Sequence, residues 1–565
     1  MKPALCVLIL FLVLTATAVA QNPSVSAAGI LNSASYAYVG LPNSAIAQGS
    51  IFVIFGTNMG PSTLQQISQF PLPTNLAGTS IKVTVGGTTV NCIMIYTSAN
   101  QAAALLPSNT PVGSGTLTVT YNGNASSSAA IQVIDSSFGI YTLNQQGSGP
   151  GIITDANYQV YSLSHTAKAG DVSIIWGTGV GPVQGDEAGG PLPGNLGSVP
   201  VEVYVGTQKA QITYAGRSGC CSGLDQIGFV VPQGVTGCHV PVAVKIKNTV
   251  SNFVTTSIGN GGACSDPTGP TSTDITNFLT KGGSFGSVNL NRSTTSSPAL
   301  PPPFGTGQAT TTTSDSGSAI FDKYTAQQLN LAQNPFSTYT IGTCVVFASS
   351  GQSATAADPI KPVGLDAGAQ ITVNGPNGTK QLTPSSVLGK GFYSAALGGG
   401  TPPSASPLYL DAGSYPVTGP GGADVGTFSL NLTVPPSLTW TNMGSVDNVV
   451  RANGQLVTWT GGDPNGTVTI SGTSIKMGTN ANGSDSVGAF FSCTAPDSDL
   501  QFTIPIPVLL SLPVTSVIAP IPGVSIPEGT LSISSATPPV KFTATGLDFS
   551  FGSTSVSVSK SVAYQ

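Results

Sequence analysis

The segments "IFVIFGTNMGP" (51–61) and "VSIIWGTGVGP" (172–182) decide the fold. Each is an apolar run followed by Gly-Thr, a further Gly and Pro. A Gly-rich loop after an apolar strand is either a phosphate cradle or a tight turn in an all-β protein. A phosphate loop needs a helix N-terminus behind its glycines. The residues that follow, "PSTLQQISQFPLP" and "PVQGDEAGGPLP", do not both allow a helix. Gly56, Gly60, Gly177, Gly179 and Gly181 are therefore read as structural turn glycines. They supply φ > 0 and close backbone approach where a buried strand leaves a sandwich.

The motif occurs twice because a larger unit repeats. Gly49-Ser50-Ile51 matches Gly170-Asp171-Val172, Phe55-Gly56-Thr57 matches Trp176-Gly177-Thr178, and Gly60-Pro61 matches Gly181-Pro182. "PLPTNLAG" (71–78) matches "PLPGNLGS" (191–198), "IKVTVGG" (81–87) matches "VEVYVGT" (201–207), and Tyr96 matches Tyr214. The second copy carries an insertion, "GRSGCCSGLDQ" (216–226). Runs such as "IKVTV" and "VEVYV" alternate with the period of half-buried strands. Short strands joined by Gly/Pro turns predict antiparallel β-sandwiches.

These motifs carry a resemblance. "GSIFVIFGTNMGP", "LPTNLAGTSIKVTVGGTTV" and "LLPSNTPVGSGTLTVT" resemble the immunoglobulin-like IPT/TIG unit. The tandem is similar to a Solibacter-type domain pair of secreted acidobacterial proteins, through "LNSASY" (31–36), the segment 170–182, and Tyr214 to Ile227. The resemblance covers about 25–260. It implies a secreted, Ig-like tandem.

Composition agrees with an all-β chain. Of 565 residues only 7% are charged, against a typical quarter, while 40% are hydrophobic, with 70 Gly and 43 Pro. A net charge of −5 over this length gives no strong field and no basic patch, which argues against nucleic acid as a partner. Lys2, the apolar run after it and Ala18-Val19-Ala20 read as a signal peptide over 1–20. Its removal leaves no membrane span. "IPIPVLLSLPVTSVIAPIP" (504–522) is broken by prolines and reads as strand-and-turn material.

The expected organisation is all-β: Ig-like domains at 21–137 and 138–262, then one or two further β-sandwich domains. A Ser/Thr/Pro/Gly-rich linker, or the start of the next domain, occupies 263–320. All-β domains follow at 321–435 and 436–565. "GSFGSVNLNRS" (283–293) is a strand candidate within the third segment, and "DKYTAQQLNLAQ" (322–333) the one helical stretch. Export permits disulfides. Cys344–Cys493 is expected as one bridge, and two are expected within 220–264, with Cys220 and Cys221 each reaching Cys238 or Cys264. Cys92 reads as a buried thiol.

Titratable groups are scarce. His165 and His239 are the only histidines. A lone loop His is usually bland, and His239 reads as a packed or edge residue. Asp186-Glu187 reads as a solvated loop, and Asp225 as a brace for the insertion. No cofactor is expected. Calcium stays open at "GGDPNGT" (461–467) and at "DAG" (366–368, 411–413), although the spacing of an EF-hand loop is missing. Trp176, Trp440 and Trp459 read as core. The expected function is a non-catalytic, secreted or cell-surface binding or structural protein acting on an extracellular protein or glycan. The alternative is a polysaccharide-active enzyme.

Overall fold

The computed structural model describes residues 21–67, 69–266, 269–299, 302, 307–332, 340–351, 361–401, 405–480, 485–519 and 524–565. The expected signal peptide, 1–20, lies outside them. The first sandwich packs a five-stranded sheet on a six-stranded one. The strand Ile51–Thr57 lies between Ser24–Asn32 and Gln101–Leu105 in one sheet, and Thr79–Val85 pairs with Gly113–Tyr121 in the other. Along Thr79–Val85, Ile81, Val83 and Val85 point inward and Lys82 outward. That alternation fills the core with Phe52, Ile54, Leu117 and Val119.

The second copy repeats the plan. Val172–Thr178 pairs with Asp225–Val230, as Ile51–Thr57 pairs with Gln101–Leu105. A bulge falls between Met94 and Tyr96 in one copy and between Ile212 and Tyr214 in the other. The matched tyrosines therefore mark the same kink. Here the long strand Gln208–Arg217 pairs with Val201–Val205 at its start and Asp225–Val230 at its end, joining both layers into one ten-stranded sheet.

Glu202 ties the outer face of that sheet together. Lys245, its cross-strand partner, donates to it at 2.8 Å, Tyr204 at 2.7 Å, and Lys209 lies at 3.0 Å. The Lys245 bond, reinforced by Tyr204 and Lys209, lowers the Glu202 carboxyl from its ordinary 4.5 to about 2. A depressed carboxylate contributes stability above its ordinary pKa, and that contribution is lost as pH falls through the folded value. Glu202→Gln should therefore flatten the acid limb of stability between about pH 4.5 and 2. With solvent screening the effect is about 1 kcal/mol, read by denaturant titration across that range.

The remainder is built on one fourteen-stranded sheet. Gly283–Ser297 and Thr310–Tyr324 form a hairpin of two 15-residue strands, so of the two readings of 263–320 its described strands fit the start of the next domain. Hydroxyls face each other across it, Thr294 to Thr313 at 3.1 Å, and on its other side Thr295 meets Ser559 of the strand Phe549–Ser561 at 3.0 Å. Polar ladders of this kind look like linker in composition but satisfy strand pairing. Gly283–Ser297 also pairs in parallel with Phe549–Ser561. The expected separation of 321–435 from 436–565 is thus bridged by one sheet, and one core cluster runs from Ala243 to Tyr564. The two "LDAG" hairpins lie side by side, Val373 opposite Val417.

Helix Ala326–Leu331 falls in the expected stretch and starts at a capping box of Thr325 and Gln328. A second helix, Ser272–Lys281, was not expected. Thr271 and Asp274 form its capping box, a signal present in "TSTDITNF". Within 504–522, Ile506–Leu510 is a short helix with Pro in its first turn, where a missing N–H costs nothing. No helix among the described residues is long and apolar enough to cross a membrane.

Candidate functional site

The repeated Gly loop does bind an anion, but the anion belongs to the chain. In the second copy the N–H groups of Gly179 and Val180 donate to Asp225 Oδ2 at 2.7 and 2.8 Å. The other carboxylate oxygen bonds Arg217 Nη1, and Arg217 Nη2 donates to Gly181 O at 2.9 Å. Arg217 and Asp225 are both buried. Gly179 has φ +105°, a conformation that favours glycine; the matching residue of the first copy, Asn58, has φ 55°. Gly56, Gly60 and Gly177 are not left-handed. Gly56 and Gly177 serve close approach instead: a Cβ would lie 2.3 Å from Ser24 O in one copy and 2.2 Å from Gly139 O in the other.

Glu187 is no solvated loop residue. It is buried at the junction of the two sandwiches, where Ser108 N donates to its Oε2 at 2.7 Å and Ser108 Oγ to its Oε1 at 3.0 Å. Burial pushes its carboxyl up, against the pull of Ser108 and Arg217. Ile51 N donates to Thr178 Oγ1 at 2.8 Å, and that hydroxyl donates to Gly223 O at 2.7 Å. The ion cluster thus fixes one sandwich on the other.

A separate open feature among the described residues is a groove of about 1150 Å³. Its walls come from the first sandwich (Ser24–Tyr38, Phe55–Thr57), the second (Asn144–Ser148) and the strand Cys344–Ser350. Tyr36, Tyr38, Phe55 and Phe347 supply aromatic surface, and Asn43, Asn100, Gln101, Gln145 and Gln146 supply amides. No residue lining it is ionisable other than tyrosine. Gln101 is steered by a 2.8 Å bond from its Nε2 to Tyr96 OH.

Tyr36 reaches the groove through an unusual backbone. Asn32 Oδ1 accepts from Ala34 N and Ser35 N, Tyr36 N donates to Asn32 O, and Tyr36 has φ 49°. A bulky residue held at positive φ is a strained position of the kind that clusters at ligand sites. Its ring centroid lies 6.3 Å from that of Phe55. The second copy repeats the device: Tyr158, at φ 64° in a turn held by Asp155, lies 5.8 Å from Trp176. Trp176 is half-buried on the outer face, its Nε1 bonded to Thr154 Oγ1 at 3.1 Å. It is therefore not a core residue, whereas Trp440 and Trp459 are. "ILNSASY" (30–36) and "IITDANY" (152–158) align the two tyrosines, but the residue that holds the turn is shifted by one: Asn32 lies four before Tyr36, Asp155 three before Tyr158.

Other expected sites resolve differently. The bridges are Cys238–Cys264 and Cys344–Cys493. Cys220 and Cys221 are exposed thiols bonded to neither expected partner, because Cys238 and Cys264 are committed to each other; Cys92 is a buried thiol. Among the described residues the trio placed to hold a metal is Cys238, Cys264 and Asp266, whose two sulfurs are already bonded together. At the calcium candidates the carboxylates serve the backbone: Asp366 accepts from Gly368 N and Ala423 N, and Asp463 from Asn465 N. Asp411 lies 3.7 Å from Arg292 and accepts from Asn377 Nδ2 at 2.8 Å. His165 stacks on Tyr161 near Asp155, and burial lowers His239 to about 4.

No family model matches the chain, and no curated protein does. Among solved structures, SGBP-B from a complex xyloglucan utilization locus in Bacteroides uniformis aligns at TM-score 0.16 and 11% identity, covering 62% of this chain and 83% of its own. Domains 5–6 of the S-layer protein SbsC align at 0.16 and 12%, covering 42% and 98%. The I9–I11 tandem from titin aligns at 0.12 and 7%, covering 69% and 94%. Likenesses of this size carry no argument about ligands.

Proposed function

We propose that the protein is a non-catalytic binding protein of the cell exterior, of the IPT/TIG-type tandem class, and that its groove holds a neutral glycan. The observation that carries this reading is the groove's lining, aromatic faces and side-chain amides without a charge. Amides both donate and accept, matching the mixed donor and acceptor character of hydroxyls. Aromatic rings offer flat apolar area to the C–H faces of a sugar. Asn43, Asn100, Gln145 and Gln146 make no side-chain hydrogen bond to another described residue, which leaves their amides available to a ligand. Glycoside hydrolysis calls for a pair of carboxyl groups flanking the bond, and the lining supplies none, which favours binding over turnover. The two disulfides fit an oxidising compartment.

Affinity electrophoresis through gels containing neutral or acidic soluble polysaccharides tests the reading. Retardation by at least one neutral polymer and by no acidic one is expected. Tyr36→Ala and Phe55→Ala should each weaken that binding about tenfold, or about 1.4 kcal/mol. Folded protein retarded by no neutral polymer overturns the proposal, and release of reducing ends on incubation transfers it to the enzyme class.

A further inference from the structure

The insertion of the second copy is a loop closed by its own ends. Arg217 and Asp225 are paired across the hairpin, Ser218 N donates to Leu224 O at 2.9 Å, and Leu224 N donates to Cys221 O at 3.3 Å. One side of the loop is fastened to the junction. Gly223 lies so close to the first sandwich that a Cβ would meet Leu105 Cδ1 at 2.6 Å, and Ser222 Oγ donates to Glu187 O at 2.7 Å. The other side presents Cys220 and Cys221 to solvent. The two thiols are neighbours in sequence, and Ser218 Oγ lies 3.4 Å from Cys220 Sγ. Every other cysteine of the described residues is either bridged or, like Cys92, enclosed in a core.

We propose that Cys220 and Cys221 form a redox site, closing on each other as a vicinal disulfide and reopening under mild reduction while the two buried bridges persist. The oxidant is a disulfide of the low-molecular-weight thiol or thiol-oxidase class. A Cys220 thiolate attacks one oxidant sulfur, forming a mixed disulfide and releasing one oxidant thiolate. Cys221, once deprotonated, attacks the Cys220 sulfur and releases the second. The chain gives up two protons and two electrons, and the oxidant leaves as two thiols. Burial, together with the effect of its neighbour, pushes the Cys221 thiol up to about 11. Consecutive Cα atoms stand about 3.8 Å apart, under the usual span of a bridge. Cys344–Cys493 is also short, with Cα atoms 4.0 Å apart, so it is exposure, against two bridges that are buried, that makes the new bond the more reducible one.

The full chain equilibrated with oxidised glutathione, then alkylated under denaturing conditions and mapped by mass, tests this. Expected is alkylation at Cys92, and at Cys6 where residues 1–20 are retained, with the peptide carrying 220–221 about 2 Da lighter than its reduced form. Brief reduction of the folded chain should open 220–221 to alkylation without opening Cys344–Cys493. In Cys220→Ser, folded by the criterion of unchanged thermal unfolding, the mass loss should vanish and Cys221 should alkylate or carry glutathione. A wild-type peptide alkylated at both positions, retaining glutathione, or linked to another peptide overturns the proposal. None of these readouts depends on glycan binding.

Discussion

Asp225→Ala is expected to destabilise the second sandwich by about 3–5 kcal/mol, the range for removing one partner of a buried ion pair. Three donors lose their acceptor at once: Arg217 Nη1 and the N–H groups of Gly179 and Val180. Water cannot replace it, since Asp225 is fully buried and Arg217 nearly so. The penalty is that of stranding a guanidinium in a core. Asp225→Asn keeps an acceptor oxygen for the loop amides and should cost less. Denaturant unfolding gives the magnitude, and hydrogen exchange at Gly179 and Val180 localises it. A loss under about 1 kcal/mol for Asp225→Ala would mean that the pair is not a structural anchor.

The second large effect concerns the glycines of the repeat. Gly177→Ala places a Cβ 2.2 Å from Gly139 O and 2.3 Å from the Phe138 ring. Gly56→Ala places one 2.3 Å from Ser24 O and 2.8 Å from Met59 Sδ. In both copies the obstacle is a neighbouring strand's carbonyl, so the pairing at Gly139↔Thr178 or Val25↔Gly56 has to open. About 2–3 kcal/mol is expected at each site. Gly86→Ala, where the added Cβ meets nothing within 4 Å, is a useful contrast; its φ of +56° leaves only the local backbone cost. Equal effects in all three variants would refute the close-approach account.

The repeat and its sandwiches were legible because the signals are local: a constant offset, period-two alternation, and turns written in Gly, Asn and Pro. The junction was not. Glu187 sits beside Asp186 in a polar run and reads as solvated; only the arrival of Ser108 from the other copy buries it. Trp176 reads as core from its large aromatic ring, yet it and the matching Phe55 are only half-buried, each beside a tyrosine at positive φ. The strand candidate at 283–293 is the start of Gly283–Ser297; its partner Thr310–Tyr324 is hidden in sequence by linker-like Ser and Thr. The groove draws on stretches scattered from Ser24 to Ser511, so no single segment carries its signature.

The parallel pairing of Gly283–Ser297 with Phe549–Ser561 sets a timetable for synthesis. Phe285 and its partner Phe549 stand 264 residues apart, the separation recorded for the contacts beside them. At about 5–20 residues per second, the earlier strand waits roughly 13–53 s for its neighbour. Both sandwiches are complete well before then, and the long hairpin meanwhile offers an open, hydroxyl-rich edge to whatever strand arrives first. A holdase that shields that edge, or passage across a membrane before the sheet closes, would govern how much of this protein reaches its folded form.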